Sequence, residues 1–225
     1  VFNYAYAEYE IDGRNPFTRV LIPKEGSDRV KRQPVATEGL QALYEACLAT
    51  DKPLRWAIPI LGETGCRIAE IIGLRRSDVS PDATTIKITA HSARRLKTSG
   101  SERDLPLVGY AQAAMQRLLT ANDHEFLFPT YLRDNQILAT HAGNALNKWL
   151  KQATDGKTAH CLRHTFRDRL RAVECPIELL DALGGWSVVQ GAGSGYGAGF
   201  TLGQKRFWLE KIAVATDADN GTPEF

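Results

Sequence analysis

The sequence lacks the features that mark membrane proteins, disulfide-rich secreted domains and metal enzymes. No apolar run approaches the ~20 residues that a transmembrane helix needs. The four cysteines form no C-x-x-C pair, and no cluster of His, Cys, Asp and Glu has the spacing of metal ligands. No signal-peptide pattern, internal repeat or low-complexity segment is seen. These absences predict a cytoplasmic protein with reduced thiols, no membrane partner, no metal and no cofactor.

An excess of either charge is also missing. The chain has 28 Lys and Arg against 26 Asp and Glu, a net charge of +2. This balance is compatible with a nucleic-acid partner but does not require one. With 225 residues, 43% of them hydrophobic, the chain is long enough for one large domain with a real core.

The spacing of apolar residues predicts a mainly helical, α+β fold with a small antiparallel sheet. Alternation over 84–90, together with segments 94–97 and 103–107 around a turn at 98–101, predicts three strands. Thr37 is predicted to cap the first helix. The predicted helices span about 37–49, 53–61, 67–74, 110–121, 141–153, 161–173, 177–183 and 203–213.

The ends of the chain differ from its middle. Residues 1–14 are aromatic and acidic and look like a connector, 15–214 form one domain, and 215–225 form a tail. The tail ends in Gly-Thr-Pro-Glu-Phe, which looks like added sequence. Because the first residue is Val1 rather than Met, we expect a fragment of a longer protein.

Five separated residues are predicted to form one active site: Arg67, Lys97, His160, Arg163 and Tyr196. Two guanidinium forks can grip both non-bridging oxygens of a phosphate, which a lysine does less well. A tyrosine hydroxyl can then attack the phosphodiester without a metal. Alternatively, each arginine serves an ordinary ion pair; Arg67 with Glu70 would contribute only ~0.2–0.5 kcal/mol if exposed.

His160 and Arg163 are three residues apart at a predicted helix start, so they share a face. The helix N-terminus favours an anion there, and His160 could donate to it or move a proton. His164 is predicted to lie off that face and to pack or hydrogen-bond inside the fold, with Glu70 as a partner.

Lys97 precedes the predicted hairpin turn, where a lysine is usually a solvated edge charge. Over a DNA strand it could instead protonate a leaving 5′ oxygen. Arg94 and Arg95 are the rival choices and candidate DNA contacts. Tyr196 stands in the glycine-rich run 191–197, which lacks the Lys-Ser or Lys-Thr and the flanking elements of a phosphate loop.

In this order and spacing the motifs resemble those of the tyrosine recombinases, the phage integrase family, over residues 15–212. They are T-G-x-R-x-x-E (64–70), Lys-Thr (97–98), Arg-x-Leu-Pro-Leu (103–107), H-x-x-R-H (160–164), Leu-Gly-Gly-Trp (183–186) and Tyr196. The resemblance implies the fold of a tyrosine recombinase catalytic domain, similar to the type IB topoisomerase core. It implies Tyr196 as nucleophile and the remaining catalytic groups as Arg67, Lys97, His160, Arg163 and Trp186, which stands where many members have histidine.

The resemblance also implies partners and context. It predicts site-specific DNA recombination through a 3′-phosphotyrosyl intermediate, by the integrase of a phage or mobile element. Double-stranded DNA is the expected partner, with a tetramer on recombining DNA, a monomer for the isolated domain, and accessory DNA-bending proteins. Members of the family also have an N-terminal core-binding domain, which together with the catalytic domain forms a clamp around DNA. The expected location is the nucleoid of a bacterial cell or phage-infected host.

Two alternative functions stay open at this point. A type IB topoisomerase would use the same groups to relax DNA as a monomer. A DNA-binding module without catalysis would need no Tyr196. The C-terminal helix, which carries Phe207 and Trp208, could dock on its own domain or on a neighbouring subunit.

Overall fold

A computed structural model of the chain describes residues 4, 5, 8, 9, 15, 18, 34–96, 101–186 and 199–216. The chain divides into two compact units, Val1–Arg32 and Gln33–Phe225. In the first unit, the amide of Tyr9 donates to the carbonyl of Ala5 at 3.0 Å, as in one helical turn. The second unit holds the strands and the long helices and is described from here on.

The helices lie where the apolar periodicity predicts them, with each end within three residues of the predicted one. Thr37 begins a 3₁₀ turn, Thr37–Gly39, whose N-cap is Ala36, so the prediction that Thr37 caps the helix is wrong. The helices are α1 (Leu40–Leu48), α2 (Pro53–Thr64), α3 (Ile68–Ile72), α4 (Gly109–Ala121), α5 (Ala139–Ala153), α6 (Ala159–Ala172), α7 (Ile177–Gly184) and α8 (Leu202–Ile212).

Helix α2 is the centre of the unit. Pro53 occupies its first turn, where a missing N–H costs nothing, and Gly65 ends it in the left-handed conformation at φ +62°. Every residue from 56 to 64 is buried. A helix buried over this whole stretch must be covered on all sides, and it packs on α1, α4 and α6.

A buried polar network fastens α2 to its neighbours. The Glu63 carboxylate accepts hydrogen bonds from the Tyr44 hydroxyl at 3.0 Å and from Nη1 and Nη2 of Arg169 at 2.7 and 3.1 Å. The amide of Val214 also donates to it, at 3.3 Å. Burial, followed by the nearby Glu63 charge, raises the pKa of Tyr44 well above its ordinary value. The network therefore ties α1, α2, α6 and the segment after α8 together.

The sheet is smaller than predicted. Strands β1 (Thr85–Ile88) and β2 (Arg103–Pro106) pair antiparallel, with Ile88 opposite Arg103. Outside the named strands, the described residues form three isolated bridges, Arg75 with Phe126, Val79 with Ile86 and His91 with Arg94, so the predicted third strand is not formed by them.

A second hairpin, β3 (Leu132–Arg133) with β4 (Gln136–Ile137), was not predicted. Its two turn residues, Asp134 and Asn135, both have positive φ, the geometry of a type I′ turn.

In this single chain the C-terminal helix docks on its own domain. Leu209 and Ile212 of α8 are buried, against β2 and α6 among others. Nζ of Lys205 donates to the carbonyl of Asp104 at 2.8 Å. Phe207 keeps 52% of its surface exposed. Within the described part of the chain, no helix is long and apolar enough to span a bilayer.

Candidate active site

Arg67 stands at the N-terminal cap of α3, immediately after the turn that ends α2. Its Nη1 donates to Glu70 Oε1 at 2.7 Å and lies 3.4 Å from the Ser101 hydroxyl, while Nη2 donates to the carbonyl of Gly185 at 3.2 Å. The side chain remains 29% exposed. These contacts hold the guanidinium from three separate segments and still leave it open to a ligand.

Glu70 joins two arginines through one carboxylate. Its Oε2 accepts the backbone N–H of Arg67 at 2.9 Å and Nη2 of Arg103 at 2.9 Å. Burial raises the pKa of this carboxyl, but the charge of Arg103 and the hydrogen bonds from both arginines outweigh burial and lower the pKa below its ordinary value. Glu70 is therefore ionised and serves as the internal counter-ion of the site.

Arg163 lies on α6 with only 6% of its surface exposed. Its Nη1 donates to the carbonyl of Gly65, and its guanidinium carbon lies 4.3 Å from the ring centroid of Trp186. Burial, followed by the charge of Arg67, lowers the pKa of Arg163 to about 10. The group stays charged at neutral pH. Nη1 of Arg163 has Gly65 as its acceptor, and no described residue accepts a hydrogen bond from Nε or Nη2 of Arg163.

His160 occupies the first turn of α6 and is exposed. The side-chain oxygen of Asn147, on α5, accepts the N–H of Ala159 at 2.9 Å and so fixes where α6 begins. The prediction that His160 and Arg163 belong to the same helix start is confirmed.

The prediction for His164 is wrong. His164 is exposed rather than packed inside, and its ring meets that of His160 edge-on at 4.7 Å. Residues four apart on a helix share a face, which the prediction overlooked. Glu70, its predicted partner, is engaged by Arg67 and Arg103 instead.

Trp186 follows directly on the turn that ends α7. Its ring stacks on Phe166 at 6.3 Å, and the guanidinium of Arg167 lies 4.7 Å from its centroid, in addition to that of Arg163. Gly184 has to be glycine here, since a Cβ atom would lie 1.8 Å from the indole. The indole is thus clamped beside Arg163.

The two hairpin arginines differ in a way the sequence does not reveal. Arg94 is 3% exposed, and its Nη1 and Nη2 donate to the carbonyl of Glu70 at 2.9 Å and to Asp78 at 3.3 Å. The prediction that Arg94 contacts DNA is therefore wrong, because its N–H groups donate to acceptors inside the fold. Arg95 is exposed and stays a candidate. Lys97 and Tyr196 lie outside the described residues.

Arg103 was not predicted to belong to the site, although it is the first residue of the motif at 103–107. The structure buries this guanidinium between Glu70, Ser101 and Leu183. One signal was available: Arg103 falls on the inward positions of a strand that also carries Leu105. An arginine at an inward position requires buried partners.

The charges in this part of the chain favour an anion. Three guanidinium groups, those of Arg67, Arg103 and Arg163, lie close to the carboxylate of Glu70, which pairs directly with Arg67 and Arg103. Among the described residues, no group of three or more His, Cys, Asp or Glu could hold a metal ion. All four cysteines are buried, unpaired thiols.

A family model and several known proteins match most of this chain. The model of the phage integrase family matches residues 35–197. The tyrosine recombinase XerC of Herpetosiphon aurantiacus is 26% identical over 179 residues. That match covers 73% of this chain but only 55% of the relative, so the chain spans about half the length of that protein.

Solved structures share the fold. The Tn1549 transposon integrase in complex with circular intermediate DNA superposes with a TM-score of 0.64 at 20% identity, covering 97% of this chain and 73% of the integrase. The integrase of mycobacterium phage Brujita gives 0.55 at 17% identity, covering 96% and 71%. The XerA recombinase gives 0.55 at 17%, covering 92% and 70%. The predicted fold class is confirmed.

Proposed function

We propose that this chain, which belongs to the phage integrase family, is the catalytic part of an enzyme that cleaves and rejoins DNA at specific sites. The observation that carries the proposal is the pair of partly free guanidinium groups, Arg67 and Arg163. Arg67 caps α3 and Arg163 lies on α6, the turn at Gly65 links the two, and Glu70 pairs directly with Arg67. Such a pair suits a phosphodiester that must be held by two oxygens at once.

In the proposed reaction, Arg67 and Arg163 hold the non-bridging oxygens of the scissile phosphate. The hydroxyl oxygen of Tyr196 attacks the phosphorus and gives its proton to His160; a 3′-phosphotyrosyl bond forms, and the bond to the 5′ oxygen breaks. Lys97 gives its proton to that 5′ oxygen. A 5′ hydroxyl of a partner strand then attacks the same phosphorus and gives its proton to Lys97, the bond to the tyrosine oxygen breaks, and His160 returns its proton to Tyr196. The energy of the phosphodiester bond is kept in the phosphotyrosyl bond, so no ATP is needed, and the two arginines supply the positive charge without a metal.

His160 and Trp186 complete the proposed site. The exposed imidazole of His160 lies in the first turn of α6, where the helix dipole favours an anion, and it can donate to the phosphate or move a proton. Trp186, clamped beside Arg163, offers its indole N–H as a further donor. Ser101 supports the role of Lys97, since it follows four residues later and lies 3.4 Å from Arg67 Nη1.

Electrostatics makes up most of the catalysis proposed here. Donors fixed in advance around a developing charge cost no rearrangement during the reaction. Arg67 is held by Glu70 and Gly185, and Arg163 by Gly65 and Trp186. Both forks are therefore in place before a phosphate arrives.

The context of the reaction is proposed from the relatives. The matched proteins are named as recombinases and integrases, and several were solved with DNA, which favours strand exchange over relaxation by a topoisomerase. We propose double-stranded DNA as the partner, a tetramer for exchange, and residues 1–14 as a connector to a core-binding domain that completes the clamp. We also propose action at the nucleoid of a bacterial cell, because the curated relative is a bacterial recombinase.

The test is a nicked suicide duplex that carries a candidate attachment site. Cleavage near the nick releases a short fragment, which prevents religation and traps the covalent complex. We expect an adduct that survives denaturation, with the protein on the 3′ phosphate and a free 5′ hydroxyl on the released strand. A 5′-linked adduct, or hydrolysis without any adduct, would refute the proposal. Exchange between two labelled duplexes separates recombination from relaxation.

A further inference from the structure

Arg103 is a charged residue on the core side of the β-ribbon. It lies opposite Ile88 in the register, and its side chain is only 4% exposed. Its Nε donates to the carbonyl of Leu183 at 3.0 Å, and its Nη1 to the carbonyl of Ser101 at 2.7 Å. Its Nη2 contacts Glu70 Oε2 at 2.9 Å and the Cys66 sulfur at 3.3 Å. All three nitrogens are thus committed inside the protein.

These contacts connect three segments that lead to proposed catalytic groups. Ser101 follows Lys97 by four positions in the sequence. Glu70 holds the guanidinium of Arg67. Leu183 lies in the last turn of α7, three residues before Trp186.

Arg103 is packed tightly against the turn after α7. A Cβ atom on Gly185 would lie 2.6 Å from Nη1 of Arg103, and Gly185 has φ +61°, so only glycine fits there. The carbonyl of the same Gly185 accepts a hydrogen bond from Arg67 at 3.2 Å. Arg103 and Arg67 therefore hold the same turn from two sides.

We propose that Arg103 is a positioning residue for the strand-cleavage reaction: through Glu70 and the turn after α7, it fixes the orientation of the Arg67 guanidinium. The inference rests on the proposed function for its catalytic meaning, while the positioning itself is a property of the folded chain. Arg103 is buried and fully bonded, so it adds no phosphate contact. Its loss is expected to lower the rate of cleavage and to leave DNA affinity nearly unchanged.

Lysine cannot replace this residue. An ammonium group keeps the charge, but it cannot reach Leu183, Ser101 and Glu70 together in the plane that a guanidinium provides. In Arg103→Lys, the Glu70 carboxylate keeps its contact with Arg67 but loses a fixed partner.

The pH dependence of cleavage follows from the groups around Glu70. The carboxylate faces Arg67, Arg103 and the Cys66 thiol, with Arg163 nearby and Arg94 on the carbonyl of the same residue. Burial raises the pKa of Glu70, and the charge of Arg103 opposes this effect. Removing Arg103 should therefore raise the pKa of Glu70. In Arg103→Met the rate should therefore fall as the pH drops through the new, higher pKa of Glu70. In Arg103→Met with Glu70→Gln this added dependence should disappear, since nothing remains there to titrate.

The experiment has one arm that does not depend on activity. Side-chain ¹⁵N–¹H spectra of the arginines, assigned by substitution, report whether Arg67 keeps its shift and its slow exchange in Arg103→Lys. Arg171→Lys is the matched control, because Arg171 is exposed and, within the described part of the chain, forms its ion pair with Asp168 alone, at 3.3 Å. The second arm measures single-turnover cleavage of the suicide duplex, DNA affinity and its salt dependence for the same variants.

We expect the Arg67 signal to shift and broaden in Arg103→Lys, with cleavage slower by on the order of 10²-fold and affinity within about twofold. The control should match the wild type in every measurement. An unchanged Arg67 signal, or wild-type cleavage by Arg103→Lys, would overturn the inference. If the wild type forms no adduct, the proposed function fails, and the spectra still decide the positioning. If Arg103→Met does not fold, Arg103→Lys carries the test alone.

Discussion

The carbonyl of Gly65 accepts a hydrogen bond from Nη1 of Arg163. Gly65 ends α2, and two residues later Arg67 begins α3, so one short turn both anchors one arginine and presents the other. The spacing between the two guanidinium groups is therefore built into the backbone of this turn.

Tyr196→Phe should abolish covalent attachment to DNA while DNA affinity changes by less than about twofold. The lost oxygen is the proposed nucleophile, whereas affinity comes mainly from basic residues on phosphates. Denaturing gels of the suicide complex and a binding titration measure the two quantities. Tyr131→Phe serves as the control and should still form the adduct. Adduct from Tyr196→Phe at the wild-type level would move the nucleophile to another tyrosine.

Arg67→Lys and Arg163→Lys should each slow cleavage by on the order of 10²-fold, because one donor to the transition state is lost with the fork. Arg163→Lys also loses the bond to Gly65 and the stacking on Trp186. Single-turnover rates with saturating protein measure the effect. Arg171→Lys on the exposed side of α6 should cleave normally. A near-normal rate for either test variant would limit that arginine to a role in the fold.

Gly65→Ala should destabilise the protein by about 2–4 kcal/mol, from left-handed strain and a clash. The new Cβ would lie 2.3 Å from Phe166 Cδ1 at a residue with φ +62°. Gly156→Ala is the matched control, since Gly156 has φ +81° with no atom within 4 Å of a Cβ. Its cost should be only about 1 kcal/mol of strain. Denaturant unfolding gives both values, and equal values would mean that Phe166 moves aside.

Glu70 should stabilise the fold in a pH-dependent way. Its pKa in the folded protein is below the ordinary value of 4.5, so the ionised form is favoured by folding. Its contribution is fully present above about pH 4.5 and is lost as the pH falls through the lower, folded-state pKa. The difference in unfolding free energy between wild type and Glu70→Gln should therefore be constant near neutral pH and shrink in acid. Exposed Glu178→Gln should change stability little at any pH.

Cleavage of the suicide duplex should proceed at an unchanged rate in saturating EDTA. Positive charge for the phosphate is already supplied by Arg67 and Arg163, as in the proposed scheme. Rates are compared after dialysis against chelator, with and without added Mg²⁺. A rate that falls in chelator and returns with Mg²⁺ would favour a metal-dependent nuclease instead.

Local signals explain why the helices and the strands β1 and β2 could be predicted and the third strand could not. The helices follow from apolar periodicity and from residues such as Pro53 and Gly65, which act within one turn of the chain. The third strand, 94–97, was predicted because it flanks a turn signal, yet the side chain of Arg94 turns inward to Glu70 and Asp78. Pairing of strands depends on distant partners, and a short run of residues does not specify them.

The sequence by itself determined the family, the order of the motifs and the residue types that suit a phosphodiester, because these depend on spacing along the chain. Only the tertiary structure decided which arginines face a ligand. Arg67 remains partly exposed, whereas Arg94 and Arg103 donate to buried partners. His164 lies beside His160 on the surface. The physical reason is that a guanidinium is committed by whatever acceptors surround it after folding. Several of those acceptors, those of Gly185 and Leu183 among them, are backbone carbonyls, which every residue type has and a sequence motif therefore does not reveal.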